Sequence, residues 1–184
     1  MSFQQYRTLI LDKARQSIAY ALEHNKLIKP DHQNIPEPLL EKGACFVTLE
    51  INHQLRGCIG NLEAMQPLID DIERNAYAAA FSDPRFPAVT QQEFNKLDIH
   101  VSILTPATAM HFDDEKDLVN QIKPGIDGLI LQDKGRRGTF LPSVWESLSE
   151  PEDFFRHLKL KAGLPENHWS DSLKVYRYHT EMIK

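Results

Sequence analysis

Cysteine is scarce in this chain of 184 residues: only Cys45 and Cys58 occur, and no Cys-x-x-Cys pair. Two cysteines rule out a disulfide framework, and the missing pair rules out a structural zinc knuckle or a dithiol redox couple. Each cysteine must therefore be judged singly. Long apolar runs are also absent, with no window near the roughly 18 residues that a membrane span needs. The first residues, Ser2-Phe3-Gln4-Gln5-Tyr6-Arg7, carry no basic segment followed by an apolar one. The expectation is a cytoplasmic protein with no membrane segment. Basic charge is in deficit, 21 Lys plus Arg against 26 Asp plus Glu for a formal charge of -5. That balance disfavours nucleic acid and anionic lipid as partners, since both are recognised through basic surface. Iron–sulfur spacing, Gly-x-Gly-x-x-Gly, Walker and helical His-x-x-x-His patterns are missing too, so no cofactor is expected. His111 with Asp113 and Asp114 is the one compact His/carboxylate group; it lacks a matching third ligand, and no metal is expected.

What is present fits one ordinary domain, or one domain with two lobes, at 41% hydrophobic and 26% charged residues. Helical spacing of Phe3, Tyr6, Ile10, Ala14, Ile18, Ala21 and Leu22 predicts a helix over residues 2–25 capped by Ser2. A proline-rich surface connection over 29–38 leads into a strand at 44–51, a turn at 52–54 and a returning strand at 55–59. A second helix is expected over 67–81, then a proline-bounded loop at 82–87 and a capping box at Thr90-x-x-Glu93. Further on, strands are expected at 99–104, 128–132, 138–141 and 173–179, with helices at 113–122 and 152–162. Hairpins dominate and no regular βαβ rhythm or internal repeat appears, which reads as an α+β fold with antiparallel sheet.

The most informative segment is Leu55-Arg56-Gly57-Cys58-Ile59-Gly60. Strict alternation puts Arg56 and Cys58 on one strand face and Leu55 and Ile59 on the other. Gly57 and Gly60 remove side chains around the cysteine, which lets a ligand or another backbone come close. A neighbouring guanidinium enlarges the thiolate fraction, the attacking species. Cys58 therefore reads either as a reactive thiol or as a small residue in a tight hairpin with the glycines as bulge positions. Cys45, in step with Val47, Leu49 and Ile51, reads as core. His100 points away from the Ile99, Val101 and Ile103 face and is the best-placed base for Cys58, against the plain reading of a lone strand histidine. Arg85 stands between prolines, able to grip a carboxylate or phosphate or to pair with Asp83. Arg136 and Arg137 are expected in a glycine-flanked hairpin turn. Convergence of Arg56, Arg85 and Arg137 with Gly57 and Gly60 would favour an anionic small molecule or peptide.

These same residues resemble a known family. The hexapeptide is similar to the hallmark of the AMMECR domain family. Supporting matches lie in Phe46-Val47-Thr48-Leu49, Asp83-Pro84-Arg85-Phe86, Val101-Ser102-Ile103-Leu104, Gly125-Ile126-Asp127-Gly128-Leu129 and Arg137-Gly138-Thr139-Phe140-Leu141-Pro142, with Lys161-Ala162-Gly163-Leu164 and Trp169. The resemblance covers nearly the whole chain. It implies an α+β fold of two subdomains, each with antiparallel sheet and flanking helices, and the hexapeptide near the groove between them. The bacterial version resembles protein A of the AmmeMemoRadiSam system, which implies Memo-like and radical S-adenosylmethionine proteins as partners. No reaction comes with the resemblance. Two functions follow as expectations: a cleft in which Arg56 orients an anion and Cys58 reacts, with His100 as base, or a non-catalytic protein-interaction scaffold. Nucleic-acid processing ranks last, against the charge balance.

Overall fold

A stripe of Ile10, Ala14, Ile18 and Ala21, all buried, makes one face of helix α1 (Arg7–His24) in the computed structural model, which describes residues 2–184. Ser2 does not cap this helix. Its Oγ accepts from the Gln4 amide at 3.2 Å and caps a 3-10 turn, Phe3–Tyr6, so the α-helix proper starts at Arg7. The proline-rich connection contains a one-turn helix, α2 (Glu37–Leu40), because Pro38 sits in its first turn, where a missing N–H costs nothing. Strand β1 (Lys42–Gly43) follows.

Strands β2 (Cys45–Ile51) and β3 (Gln54–Gly60) form an antiparallel hairpin. Asn52 and His53 both take positive φ, 52° and 62°, the geometry of a two-residue turn that matches strand twist. Strand β4 (Gln66–Pro67), which pairs with β1, leads into helix α3 (Leu68–Phe81). Helix α4 (Gln91–Phe94) keeps the Thr90–Glu93 capping box, and β5 (Asp98–Leu104) pairs with β2 on the side opposite β3. Alternation then decides the faces. Cys45, Val47 and Leu49 of β2 and Ile99, Val101 and Ile103 of β5 are buried with α1 and α3 in one hydrophobic core.

The chain divides into two compact units, the first formed by the chain up to Leu104 with Glu181–Lys184, the second by Thr105–Thr180. The second unit holds β6 (Thr108–Ala109), α5 (Glu115–Gln121), β7 (Gly128–Asp133), β8 (Arg136–Phe140), α6 (Pro151–Lys161) and β9 (Lys174–Tyr178), with sheet order β6-β9-β7-β8. Its separate core includes Leu118, Leu129, Leu131, Phe155, Leu158 and Val175, with Trp145 stacked on Phe154 at 3.8 Å between ring centroids. Lys134 and Gly135, at φ 48° and 77°, make the β7–β8 turn by themselves. Arg136 and Arg137 are therefore strand residues, contrary to the turn expected for them, because a two-residue hairpin leaves no room for a longer loop. The last strand, β10 (Thr180–Ile183), was not foreseen; it completes the first unit's sheet in the order β10-β5-β2-β3. Antiparallel sheets with flanking helices in both units make this an α+β fold.

At the end of β7, the buried Asp133 carboxylate accepts from His168 Nε2 at 2.5 Å, Ser170 Oγ at 2.8 Å and Ser172 Oγ at 2.5 Å. These bonds, that from Ser172 foremost, hold its carboxyl at about 2 against an ordinary 3.8. A carboxyl depressed on folding adds stability that is complete above 3.8 and is lost as pH falls through about 2. Asp133→Asn is expected to lower the stability of the second unit at neutral pH, with the difference from wild type shrinking between about pH 4 and 2. Both tryptophans lie in this unit, so their fluorescence during urea unfolding reads it. A pH-independent difference would refute the assignment.

Candidate functional site

Cys58 lies on β3, the edge strand of the first sheet. The hairpin register sets Thr48 opposite it, and Thr48 in turn lies opposite His100 on β5. Cys58, Thr48 and His100 thus form one row across three strands, on the face turned away from α1 and α3. All three are half-buried. Thr48 Oγ1 donates to Cys58 Sγ at 3.3 Å. His100 Nδ1 is 3.9 Å from Glu50 Oε1. Neighbouring strands run about 4.8 Å apart, so the Cys58 and His100 backbones stand roughly 10 Å apart with Thr48 between them. No hydrogen bond joins the two side chains; the Cys58 thiol meets Thr48 instead.

Arg56 is not a partner of Cys58 on that face. Leu49 pairs with Gly57 and Glu50 with Leu55, which makes Arg56 the extra residue of a β-bulge and breaks the strict alternation assumed from sequence. Its buried guanidinium donates to Glu93 at 2.8 and 3.2 Å and to the Pro87 carbonyl at 2.9 Å, with Cζ 5.8 Å from the Phe86 ring centroid. Arg56, foremost, holds the Glu93 carboxyl down at about 2.

The guanidinium beside Cys58 is that of Arg85. Asp83, buried, accepts the Cys58 amide on Oδ2 at 2.9 Å, while Arg85 Nη2 donates to the Cys58 carbonyl at 3.2 Å. The two side chains also pair through Arg85 Nη2 at 2.7 Å and Nε at 3.0 Å. Those bonds hold the Asp83 carboxyl well below the usual carboxylate range and raise Arg85. Both free backbone groups of Cys58 are thus occupied by side chains, which blocks strand addition at that residue. The Arg85 side chain remains 54% exposed, so its charge still reaches solvent.

The two glycines make room for the protein itself. A Cβ on Gly57 would stand 2.1 Å from the Ala79 carbonyl oxygen of α3, and one on Gly60 would stand 2.3 Å from the Phe46 ring. Arg137 lies on β8 of the second unit, opposite Gln132. Cys45 is fully buried, and burial foremost, with the Asp71 carboxylate, pushes its thiol well up. Asp71 itself accepts from the Cys45 amide at 3.0 Å, Asn75 at 2.9 Å, Asn61 at 2.8 Å and Gln66 at 3.0 Å, tying the segment after Gly60 to α3. Thr48, Asp83 and Glu93 are the contacts that sequence reasoning did not assign to the site. The Thr90–Glu93 capping box was legible, but not that Glu93 also carries Arg56.

The pattern of one protein family, AMMECR1, matches residues 11–183. The chain belongs to the AMMECR1 family. A protein of Methanocaldococcus jannaschii is 40% identical over 156 residues, 83% of this chain and 78% of that one. One from Methanothermobacter thermautotrophicus is 36% identical over 190 residues, 100% and 95% of the two chains. The crystal structure of an uncharacterized protein from Pyrococcus horikoshii superposes with a TM-score of 0.88 at 33% identity, over 97% of this chain and 91% of that one. The AMMECR1 match includes residues of both units, and with them every residue of the Cys58 row. Among the described residues of this AMMECR1 protein, no helix is long and apolar enough to cross a membrane. Nor, among them, is any group of three or more His, Cys, Asp or Glu placed to hold a metal ion.

Proposed function

We propose that this AMMECR1 protein binds an anionic small molecule or peptide at the edge of its first sheet, with Cys58 as the reactive thiol or covalent anchor. The observation that carries the reading is the contrast between the two cysteines. Cys45 is sealed in the core, whereas Cys58 is half-buried, its sulfur contacted by the Thr48 hydroxyl and its backbone carbonyl by the exposed Arg85 guanidinium. Arg85 takes the role of anion contact, and Arg56 becomes a positioning residue that holds the loop bearing Asp83 and Arg85 through Pro87 and Glu93. His100 serves a ligand that lies across Thr48. Work beside a Memo-like and a radical S-adenosylmethionine protein belongs to this proposal, resting on the family resemblance.

Iodoacetamide labelling of the folded protein across a pH series, read by peptide mass, tests it. Cys58 is expected to label at neutral pH while Cys45 stays protected, and Arg85→Gln is expected to slow the Cys58 reaction. A Cys58 that labels only after unfolding removes the thiol from the function.

A further inference from the structure

We infer that the first unit carries a second site, for a small oxyanion of the phosphate-monoester class, in a pocket between α1 and the start of β5. The pocket, about 210 Å³, belongs wholly to the first unit. Arg7, Leu11 and Arg15 line it at successive four-residue steps along α1, so both arginine stems lie on one stripe with Leu11 between them. Lys184 adds a third basic side chain, His100 lies at the wall, and Asp98 is the single carboxylate side chain.

Charge accounting points to an anion. The chain is acidic overall, and Arg56, Arg85 and Arg177 each have a carboxylate within 4 Å. Arg15 is half-buried and meets only carbonyls, Leu97 at 2.7 Å and Phe94 at 3.4 Å, while its guanidinium lies over the Phe94 ring at 5.4 Å. Arg7 donates from Nε to the main-chain oxygen of Lys184, the last residue of the sequence. Among the described residues, Arg7, Arg15 and the Lys184 side chain form no ion pair with an Asp or Glu side chain. A partly desolvated guanidinium fixed by carbonyls keeps its whole charge for a ligand, and its fork geometry suits phosphate oxygens. Leu11 and Ile99 supply an apolar wall. A cavity of about 150 Å³ takes benzene, so this one has room for a ring-sized body behind the head group.

The test is titration of the whole protein with inorganic phosphate and with phenyl phosphate at fixed ionic strength, followed by amide chemical shifts. Both are expected to bind saturably, phenyl phosphate the tighter, with the largest shifts at α1 and at Asp98 to His100. Arg15→Gln is expected to weaken binding about tenfold, the loss of one charge-assisted contact. Because Arg15 also holds two carbonyls of the fold, Arg7→Gln, at an exposed position, serves as the second variant with the same expectation. Cys58→Ser is expected to leave phosphate affinity unchanged, which separates this site from the thiol reading. Unsaturable shifts reproduced by sodium chloride, or wild-type affinity in both arginine variants, would overturn the inference.

Discussion

Gly57→Ala is expected to destabilise the first unit by about 3 kcal/mol, at the upper end of what overpacking a well-filled core costs. The new Cβ would stand 2.1 Å from the Ala79 carbonyl oxygen. That oxygen belongs to the backbone of α3, which cannot turn aside as a flexible side chain can, so β3 and α3 must separate along the core that Leu49, Ile72 and Ala76 share. Gly135→Ala makes the useful contrast. Nothing lies within 4 Å of its added Cβ, and only the left-handed φ of 77° penalises it, at about 1 kcal/mol. Urea unfolding read by far-ultraviolet circular dichroism, with the slope checked for constancy, ranks the two. A wild-type midpoint for Gly57→Ala would refute the close approach of β3 to α3. The expected result also limits what activity loss in Gly57 variants means: it would report packing before any ligand contact.

Glu93→Ala is expected to cost roughly 2–3 kcal/mol, below the full penalty for orphaning a buried charge because Glu93 keeps some exposure to water. Arg56 Nη1 is already buried without a hydrogen-bond partner, so losing Glu93 leaves the guanidinium with the Pro87 carbonyl alone. Arg56→Met, which keeps the apolar stem and removes the charge, is expected to cost less. The double variant is expected to fall well short of the sum of the two single losses. The Glu93 carboxyl sits at about 2 in the folded protein against an ordinary 4.5. Its stabilisation is therefore complete above 4.5 and disappears as pH falls through about 2. Denaturant unfolding at pH 7 and near pH 2 measures both, and a Glu93→Ala penalty that stays equal at the two pH values would sink the ion-pair account.

Much of the fold was legible because local signals agreed with one another. The α1 stripe, the alternation in β2 and β5 and the capping box all state their structure within a few residues. Strand β10 was missed because four residues are too few to show a period, and its neighbour β5 lies about eighty positions earlier in the chain. The β7–β8 turn was drawn too long because a lysine at positive φ gives no compositional warning. At the site, Cys58 was singled out for its glycines and for Arg56. Both glycines turn out to be filled by the protein's own atoms, and the guanidinium that meets Cys58, at its backbone carbonyl, comes from Arg85 instead.

The amino-acid order by itself determined that Cys45 lies inside, that hairpin-rich antiparallel sheet is combined with amphipathic helices, and that Arg85 and Asp83 stand close enough to pair. Hydrophobic periodicity and chain connectivity are enough for each of these. Only tertiary structure decided that Thr48 stands between Cys58 and His100 and that Arg56 leaves the ladder for Glu93. A one-residue bulge changes which side chains share a face. Whether such a bulge forms depends on how closely β3 can seat against α3, a contact between segments that no local pattern encodes.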